Sequence, residues 1–338
     1  MEVTMSSVKP LVKDVLRVKL VPFLQSSPGV GKSSLAREIA EENELELIDL
    51  RLSQMDPADL NGFPFMQGTK KAAYVPMNVF PIEGDPLPTG KNGWLLLMDE
   101  FNSAPISVQS AAYKVVLDRQ VGMHDLHKMC YVMAAGNLST DKAITNRIST
   151  AMQSRLIHFT IAVDDKSWLK WADRSNIDHR VKSFIRFKPQ ALHKFDPNHS
   201  EDTFPCPRTW QFVSELIERY EDLPSAKVPL LAGTVGEGMA HEFFSFVKVY
   251  GELPTIEAIK RDPENVHFGP EPGVHYALAG LISHHLTPKT ADKLMVFLSR
   301  LAIDHQVNAL RAAIAKDPAV KKTTAVQEWA KRNARELT

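Results

Sequence analysis

An α/β protein with a parallel sheet, followed by an all-helical region, is predicted by three observations. Short apolar runs recur at LVPFL (20–24), LELIDL (45–50), WLLLM (94–98), MCYVMAA (129–135) and LIHFTI (156–161). Helix-compatible stretches at 33–42, 106–118 and 142–154 separate several of them, and that alternation favours right-handed crossovers between parallel strands. From about Asp164 the strand signal fades and helical periodicity takes over.

The N-terminal segment VKPLVKDVLRVK reads as a helix beside the base of the sheet. In the second region, TWQFVSELIERY (209–220), MAHEFFSFVKVY (239–250), VHYALAGLISHHL (274–286) and the run 291–314 read as amphipathic or buried helices. Loops rich in proline, glycine and charge separate them, notably RDPENVHFGPEPG (261–273). The predicted boundaries are 1–163 for an α/β domain, 164–251 for a helical linker and lid, and 252–338 for a helical extension.

Composition narrows the class. With 44% hydrophobic and 24% charged residues over 338 positions, the chain is expected to be a soluble globular protein of about two domains. No window approaches ~18 uninterrupted apolar residues, and the first ten lack a signal-peptide core, so a cytoplasmic location is expected. The 40 basic and 40 acidic residues cancel, giving no global attraction to nucleic acid. Cys130 and Cys206 are expected to be buried thiols in a reducing compartment.

The chemistry concentrates first at Ser26-Ser-Pro-Gly-Val-Gly-Lys-Ser33. This is a phosphate-binding loop with serine in place of its first glycine. Backbone N–H groups of Ser27, Pro28, Gly29, Val30, Gly31, Lys32, Ser33 and Ser34 are the expected cradle, less the proline's missing donor. Lys32 would reach the β- and γ-phosphates of ATP, and the Ser33 hydroxyl would face Mg²⁺. Serine at position 26 is expected to weaken nucleotide affinity. Roughly 65 residues later, Trp94-Leu-Leu-Leu-Met-Asp-Glu100 is a buried-strand pattern ending in two carboxylates. Asp99 would hold Mg²⁺ through water, and Glu100 would polarise the attacking water.

Over roughly residues 18–250 the chain resembles AAA+ ATPases of the MoxR-like, dynein-related branch. The likeness lies in DEFNSAPISVQSAAYKVVLDRQVG (99–122), in RLSQMDPADLNGFP (51–64) and in the insert GTKKAAYVPMNVFP (68–81). It implies a P-loop NTPase core followed by a lid, with a hairpin within Arg119–Lys128 and inserts directed at a ring's channel. Tyr74 and Phe80 are the nearest candidates for aromatic channel residues. The resemblance also implies Asn137, in MAAGN, as sensor 1. Arg155, in AMQSRL, would be an arginine finger supplied to a neighbouring subunit; Arg147 is the competing candidate, with a surface salt bridge as its favoured role. Arg208, in CPRTW, would be sensor 2. A homo-oligomer, most simply a hexamer, follows from a finger supplied in trans.

Relatives of this type commonly act with a separate von Willebrand factor A-type partner, so remodelling or activation of a protein client is the leading expectation. A motor subunit of a restriction or nucleic-acid-processing complex is the alternative. The run Asn137-Leu-Ser-Thr-Asp141 departs from the Asn-Thr-x-Asp string of related GTPases, which favours ATP over GTP. His124, His127, His241, His284 and His285 lack metal-ligand spacing and are read as structural. Phe243, Phe244, Phe246 and Tyr250 are read as lid core, and the modestly basic tail from Lys316 as a solvated amphipathic helix.

Overall fold

Why the apolar runs become strands is clear from the sheet they build. The computed structural model describes residues 2–67, 71–141, 145–198 and 201–333. Its strands are β1 (Glu2–Thr4), β2 (Val21–Ser26), β3 (Leu45–Arg51), β4 (Phe63–Gln67), β5 (Lys71–Val75), β6 (Gly93–Asp99), β7 (Gln120–Val121), β8 (His124–Asp125), β9 (Cys130–Asn137) and β10 (Leu156–Ala162). Six of them form one sheet in the order β1-β10-β2-β9-β6-β3, and every pairing in it is parallel. Leu95, Leu96, Leu97 and Met98 of β6, flanked by β9 and β3, are wholly buried, covered on both faces. Each such side chain contributes about 1.5–3 kcal/mol on leaving water.

Helices α1 (Met5–Arg17), α2 (Lys32–Glu42), α3 (Pro57–Asn61), α4 (Ile106–Leu117) and α5 (Thr150–Gln153) accompany this sheet. Val8, Val12, Leu35 and Ile39 of α1 and α2 join Leu95, Leu97 and Met133 in one cluster. Val108, Ala112 and Val115 of α4 join Leu96, Met98 and Val132 in another. Alternate residues of β6 therefore feed opposite cores, as the period of two requires.

The helix expected over 142–154 is largely absent. Residues 142–144 lie outside the described set, Thr145–Ser149 are irregular, and only Thr150–Gln153 is helical. Tertiary hydrogen bonds override the local preference: Asn146 N donates to Asn102 O at 2.6 Å, and its side-chain amide donates to Ala104 O at 2.8 Å.

The chain divides into two compact units, Met1–Val163 and Asp164–Thr338. Unit two contains α6 (Asp165–Ala172), α7 (His179–Phe187), α8 (Pro207–Ile217), α9 (Val228–Val235), α10 (Glu237–Glu252), α11 (Ile256–Arg261), α12 (Pro272–His285), α13 (Ala291–Leu298), α14 (Ile303–Lys316) and α15 (Thr324–Arg332). Phe184, Trp210 and Phe243 pack ring against ring, with centroids 5.3–5.5 Å apart. Buried Phe244 and Phe246 extend that core, and the Tyr250 side chain lies outside the described residues.

The 291–314 run is broken between Leu298 and Ile303. Gln306 donates to Leu301 O at 2.7 Å, while Trp329 Nε1 donates to Gln306 Oε1 at 2.6 Å. The tail helix α15 is thereby packed rather than merely solvated, with Val326 and Trp329 buried. Among the described residues no helix is long and apolar enough to cross a membrane.

Candidate functional site

β2 ends at Ser26, which is fully buried and paired with Asn137 of β9. The chain then turns through Ser27–Val30 and enters α2, with Gly31 at its N-cap. Gly29 and Gly31 have φ of +75° and +108°, the left-handed region that disfavours side chains. A Cβ on Gly31 would meet nothing closer than 3.9 Å, so conformation rather than space calls for glycine there. The start of an eleven-residue helix and its preceding loop give the backbone donors and dipole that suit phosphate.

Ser26 has no such need of glycine. It is an extended strand residue, absent from the positive-φ positions, and its hydroxyl donates to Ser27 O at 2.9 Å. Buried Lys32 donates to Ser26 Oγ at 3.1 Å, to Ser26 O at 3.3 Å and to Asn137 Oδ1 at 3.4 Å. The expected loss of affinity at this position therefore finds no steric cause, and the serine supplies an extra acceptor for the ammonium.

Ser33 Oγ donates to Asp99 Oδ2 at 2.7 Å. A hydroxyl and a carboxylate so close are hard oxygen donors of the kind Mg²⁺ takes, and both sit where the loop meets the end of β6. Burial, and then the neighbouring Asp99, push the Asp49 carboxyl above its ordinary range. A cation between the strand ends would relieve that repulsion. The donor set fits magnesium.

Glu100 follows in left-handed backbone, φ +55°. For a residue with a side chain this conformation costs about 1–2 kcal/mol. It is held by Asp99 Oδ1, which accepts from Glu100 N at 2.8 Å, and by Ser53 Oγ, which donates to Glu100 Oε2. Asn102, almost wholly buried, accepts from Asn137 N at 3.0 Å and donates to Asn137 O at 2.7 Å. Gly136 makes room for it: a Cβ there would lie 2.3 Å from Asn102 Oδ1.

These contacts bring Lys32, Ser33, Asp99, Glu100 and Asn137 to one edge of the sheet. The order β10-β2-β9-β6-β3 places the strand feeding the loop beside the one carrying Asn137, which in turn flanks the carboxylate strand. The fold is that of a P-loop NTPase. Ser34 is exposed on the first turn of α2.

Arg155 lies elsewhere. It precedes β10, whose Leu156 pairs with Val21 at the start of β2. Its Nη1 donates to Ala151 O at 2.5 Å and Ser154 Oγ at 3.2 Å, and its guanidinium carbon lies 5.0 Å from the Tyr113 ring centroid. Arg147 is exposed. The salt bridge weighed for it does not form among the described residues. Arg208 belongs to the second unit, exposed on the first turn of α8.

The hairpin β4–β5 exposes Phe63, Phe65, Met66, Tyr74 and Val75, and the β7–β8 turn exposes Met123. His124 Nε2 lies 2.9 Å from Tyr74 O, and Gly122 is packed against Asn61 O. The two hairpins therefore touch, and the exposed apolar surface of β4–β5 has two faces, Phe63, Phe65 and Val75 on one and Met66 and Tyr74 on the other. Phe80 is not part of it: at 2% exposure it sits in the core cluster with Leu60 and Val121, which corrects its candidacy. Residues 68–70 of the insert lie outside the described set. Ser53, Asn102 and Gly136 stand in recognisable sequence runs, but only the fold reveals what they hold.

No protein-family model matches the chain, and no curated protein is similar to it. Among solved structures, a presumed ATPase from Cytophaga hutchinsonii is similar over 98% of this chain and 88% of its own, at 16% identity and TM-score 0.35. A point mutant of Thermotoga maritima RuvB is similar over the same shares, at 14% identity and TM-score 0.35. Likenesses this loose carry nothing about activity, and the fold rests on the strand order and loop described above.

Proposed function

We propose that this chain is a ring-forming AAA+ ATPase of the MoxR-like type, coupling Mg-ATP hydrolysis to remodelling or activation of a protein client. A separate von Willebrand factor A-type partner is part of this reading. The observation that carries it is the set of contacts at the phosphate loop, where Lys32 reaches Asn137 and Ser33 reaches Asp99, itself bonded to Glu100 N. ATP would be held by the loop N–H groups and Lys32, and Mg²⁺ by Ser33 and Asp99. Bound Mg²⁺ supplies charge neutralisation at the phosphates. Glu100, steadied by Ser53, would take a proton from water, and Asn137 would orient that water.

The strand register supports a finger acting in trans. Arg155 adjoins the Leu156–Val21 pair, whereas the loop begins after Ser26. Five residues of strand separate those levels by about 16 Å, which exceeds the reach of one arginine side chain. Arg155 therefore serves a neighbouring subunit in this reading, with Arg147 as the competing donor. The apolar hairpin face bearing Phe63, Phe65 and Val75 is where a client would be touched.

Mixing two inactive variants tests the assembly. Lys32→Ala keeps a finger but loses its own site, and Arg155→Ala keeps a site but loses its finger. Hydrolysis restored on mixing supports a shared site, whereas activity that is linear in monomer and unaffected by Arg155→Ala contradicts it. Capture by Glu100→Gln in ATP then separates a protein client from nuclease-sensitive nucleic acid.

A further inference from the structure

The second unit contains a cavity of about 1010 Å³ lined only by its own residues. Its wall brings together His179 of α7, Lys182 one turn further on, His284 and His285 at the end of α12, and Lys316 at the end of α14. The His179 and His284 rings are 4.9 Å apart, and those of His284 and His285 are 5.0 Å apart. Lys316 Nζ lies 3.5 Å from His284 Nδ1 and donates to His284 O at 3.3 Å.

The nearby acids are already engaged. Asp178 accepts from Arg180 Nε at 3.0 Å and Nη2 at 2.8 Å, and both residues are nearly buried. Asp173 accepts from Arg186 Nη2 at 2.8 and 2.7 Å, leaving Lys182 at 3.7 Å from the same carboxylate. Two cations therefore share one buried carboxylate, while Lys316 meets neutral partners. Glu218, Glu221, Asp222 and Glu257 also line the cavity but are exposed, and Glu218 accepts from Asn176 at 3.1 Å. Lys316 and His284 are exposed as well, whereas His179 and Lys182 are half-buried.

We propose that this cavity binds a small phosphorylated ligand, with the phosphate on Lys182, Lys316 and the imidazoles of His179 and His284. A tetrahedral anion accepts several hydrogen bonds at once and would give Lys316 a charged partner and Lys182 a second one beside the shared Asp173. The exposed carboxylates disfavour an extended polyanion such as nucleic acid, so the ligand is a small molecule. The electrostatics agree. Burial lowers Lys182, with Arg186 and Lys316 adding to it against the opposing pull of Asp173, and burial and then Lys316 lower His284 to about 4. A bound phosphate would reverse both trends.

The test uses the full chain carrying Lys32→Ala, so that the phosphate loop does not contribute. Pyrophosphate and glycerol phosphate are titrated by calorimetry at constant ionic strength, with chloride as the control. Saturable binding is expected, weakened at least about tenfold by Lys182→Met or Lys316→Met and kept within a few-fold by Lys182→Arg. Lys321→Met, outside the cavity, should leave it unchanged. Circular dichroism confirms that each variant is folded. No saturable binding of either probe, or binding that survives both methionine substitutions, overturns the proposal.

Discussion

The side-chain amide of Asn102 grips the backbone of Asn137 at both ends, accepting from its N–H at 3.0 Å and donating to its carbonyl at 2.7 Å. Asn102 lies two residues after Glu100, and Asn137 ends the neighbouring strand. The pair locks the carboxylate turn to the tip of β9, so that Glu100 and the Asn137 side chain hold fixed positions relative to each other. Preorganised polar groups of this kind are what make a hydrolytic site effective.

Asn102→Ala should strip both bonds and leave the Asn137 backbone unsatisfied, at about 1–3 kcal/mol for each buried group. We expect hydrolysis to fall at least about tenfold, with nucleotide binding held within a few-fold, because Lys32 and Ser33 are untouched. Steady-state kinetics beside equilibrium binding of a fluorescent ATP analogue checks this. Parallel loss of both would mean that the pair merely holds the fold together.

Ser26 is open to a simpler comparison. Ser26→Gly removes the hydroxyl that accepts from Lys32 and gains nothing in return, since the position is extended strand and needs no left-handed backbone, so it should weaken nucleotide binding about tenfold. Ser26→Val removes the acceptor facing Lys32 and should weaken binding about tenfold, the loss of one charge-assisted hydrogen bond. A gain of tenfold or more from glycine would restore the expectation that serine impairs the site.

The exposed hairpin and the core beneath it should behave oppositely. Phe65→Ser, at 65% exposure, should change stability by no more than about 0.5 kcal/mol and leave ATP binding intact while reducing client capture. Phe80→Ala, at 2% exposure, should cost about 3–5 kcal/mol. Denaturant unfolding of the two variants separates a surface role from a core one.

Acid should destabilise the second unit before carboxylates titrate. Burial holds His179 at about 3, far below the 6.5 of an exposed imidazole. The folded state keeps this ring neutral while the unfolded chain takes up a proton, so stability is complete above 6.5 and declines as pH falls from there toward 3. Unfolding midpoints should drop between pH 7.5 and 5.5, and His179→Gln should flatten the decline. An identical slope in the variant would contradict the assignment.

The five apolar runs fell on β2, β3, β6, β9 and β10 because buried parallel strands have a strong one-dimensional signature. The loop at Ser26–Ser33 and the pair Asp99-Glu100 were legible for a related reason: their chemistry is carried by adjacent residues. Illegible were contacts between distant segments. Ser53 reaches Glu100 across 47 residues and Asn102 reaches Asn137 across 35, and neither spacing has a sequence signature. The missing helix at 145–149 has the same origin, since Asn146 is captured by the turn at Asn102 and Ala104. Phe80 looked like a surface aromatic because a proline-rich segment gives no periodicity from which to read its burial.

The most direct test of the nucleotide site is Glu100→Gln beside Lys32→Ala, with ATP binding and ATP hydrolysis measured on the same preparations. We predict that Glu100→Gln binds Mg-ATP within a few-fold of the parent and hydrolyses it at least about a hundredfold more slowly, whereas Lys32→Ala loses binding. Hydrolysis by Glu100→Gln at the parent rate, or undiminished ATP binding by Lys32→Ala, would contradict the account.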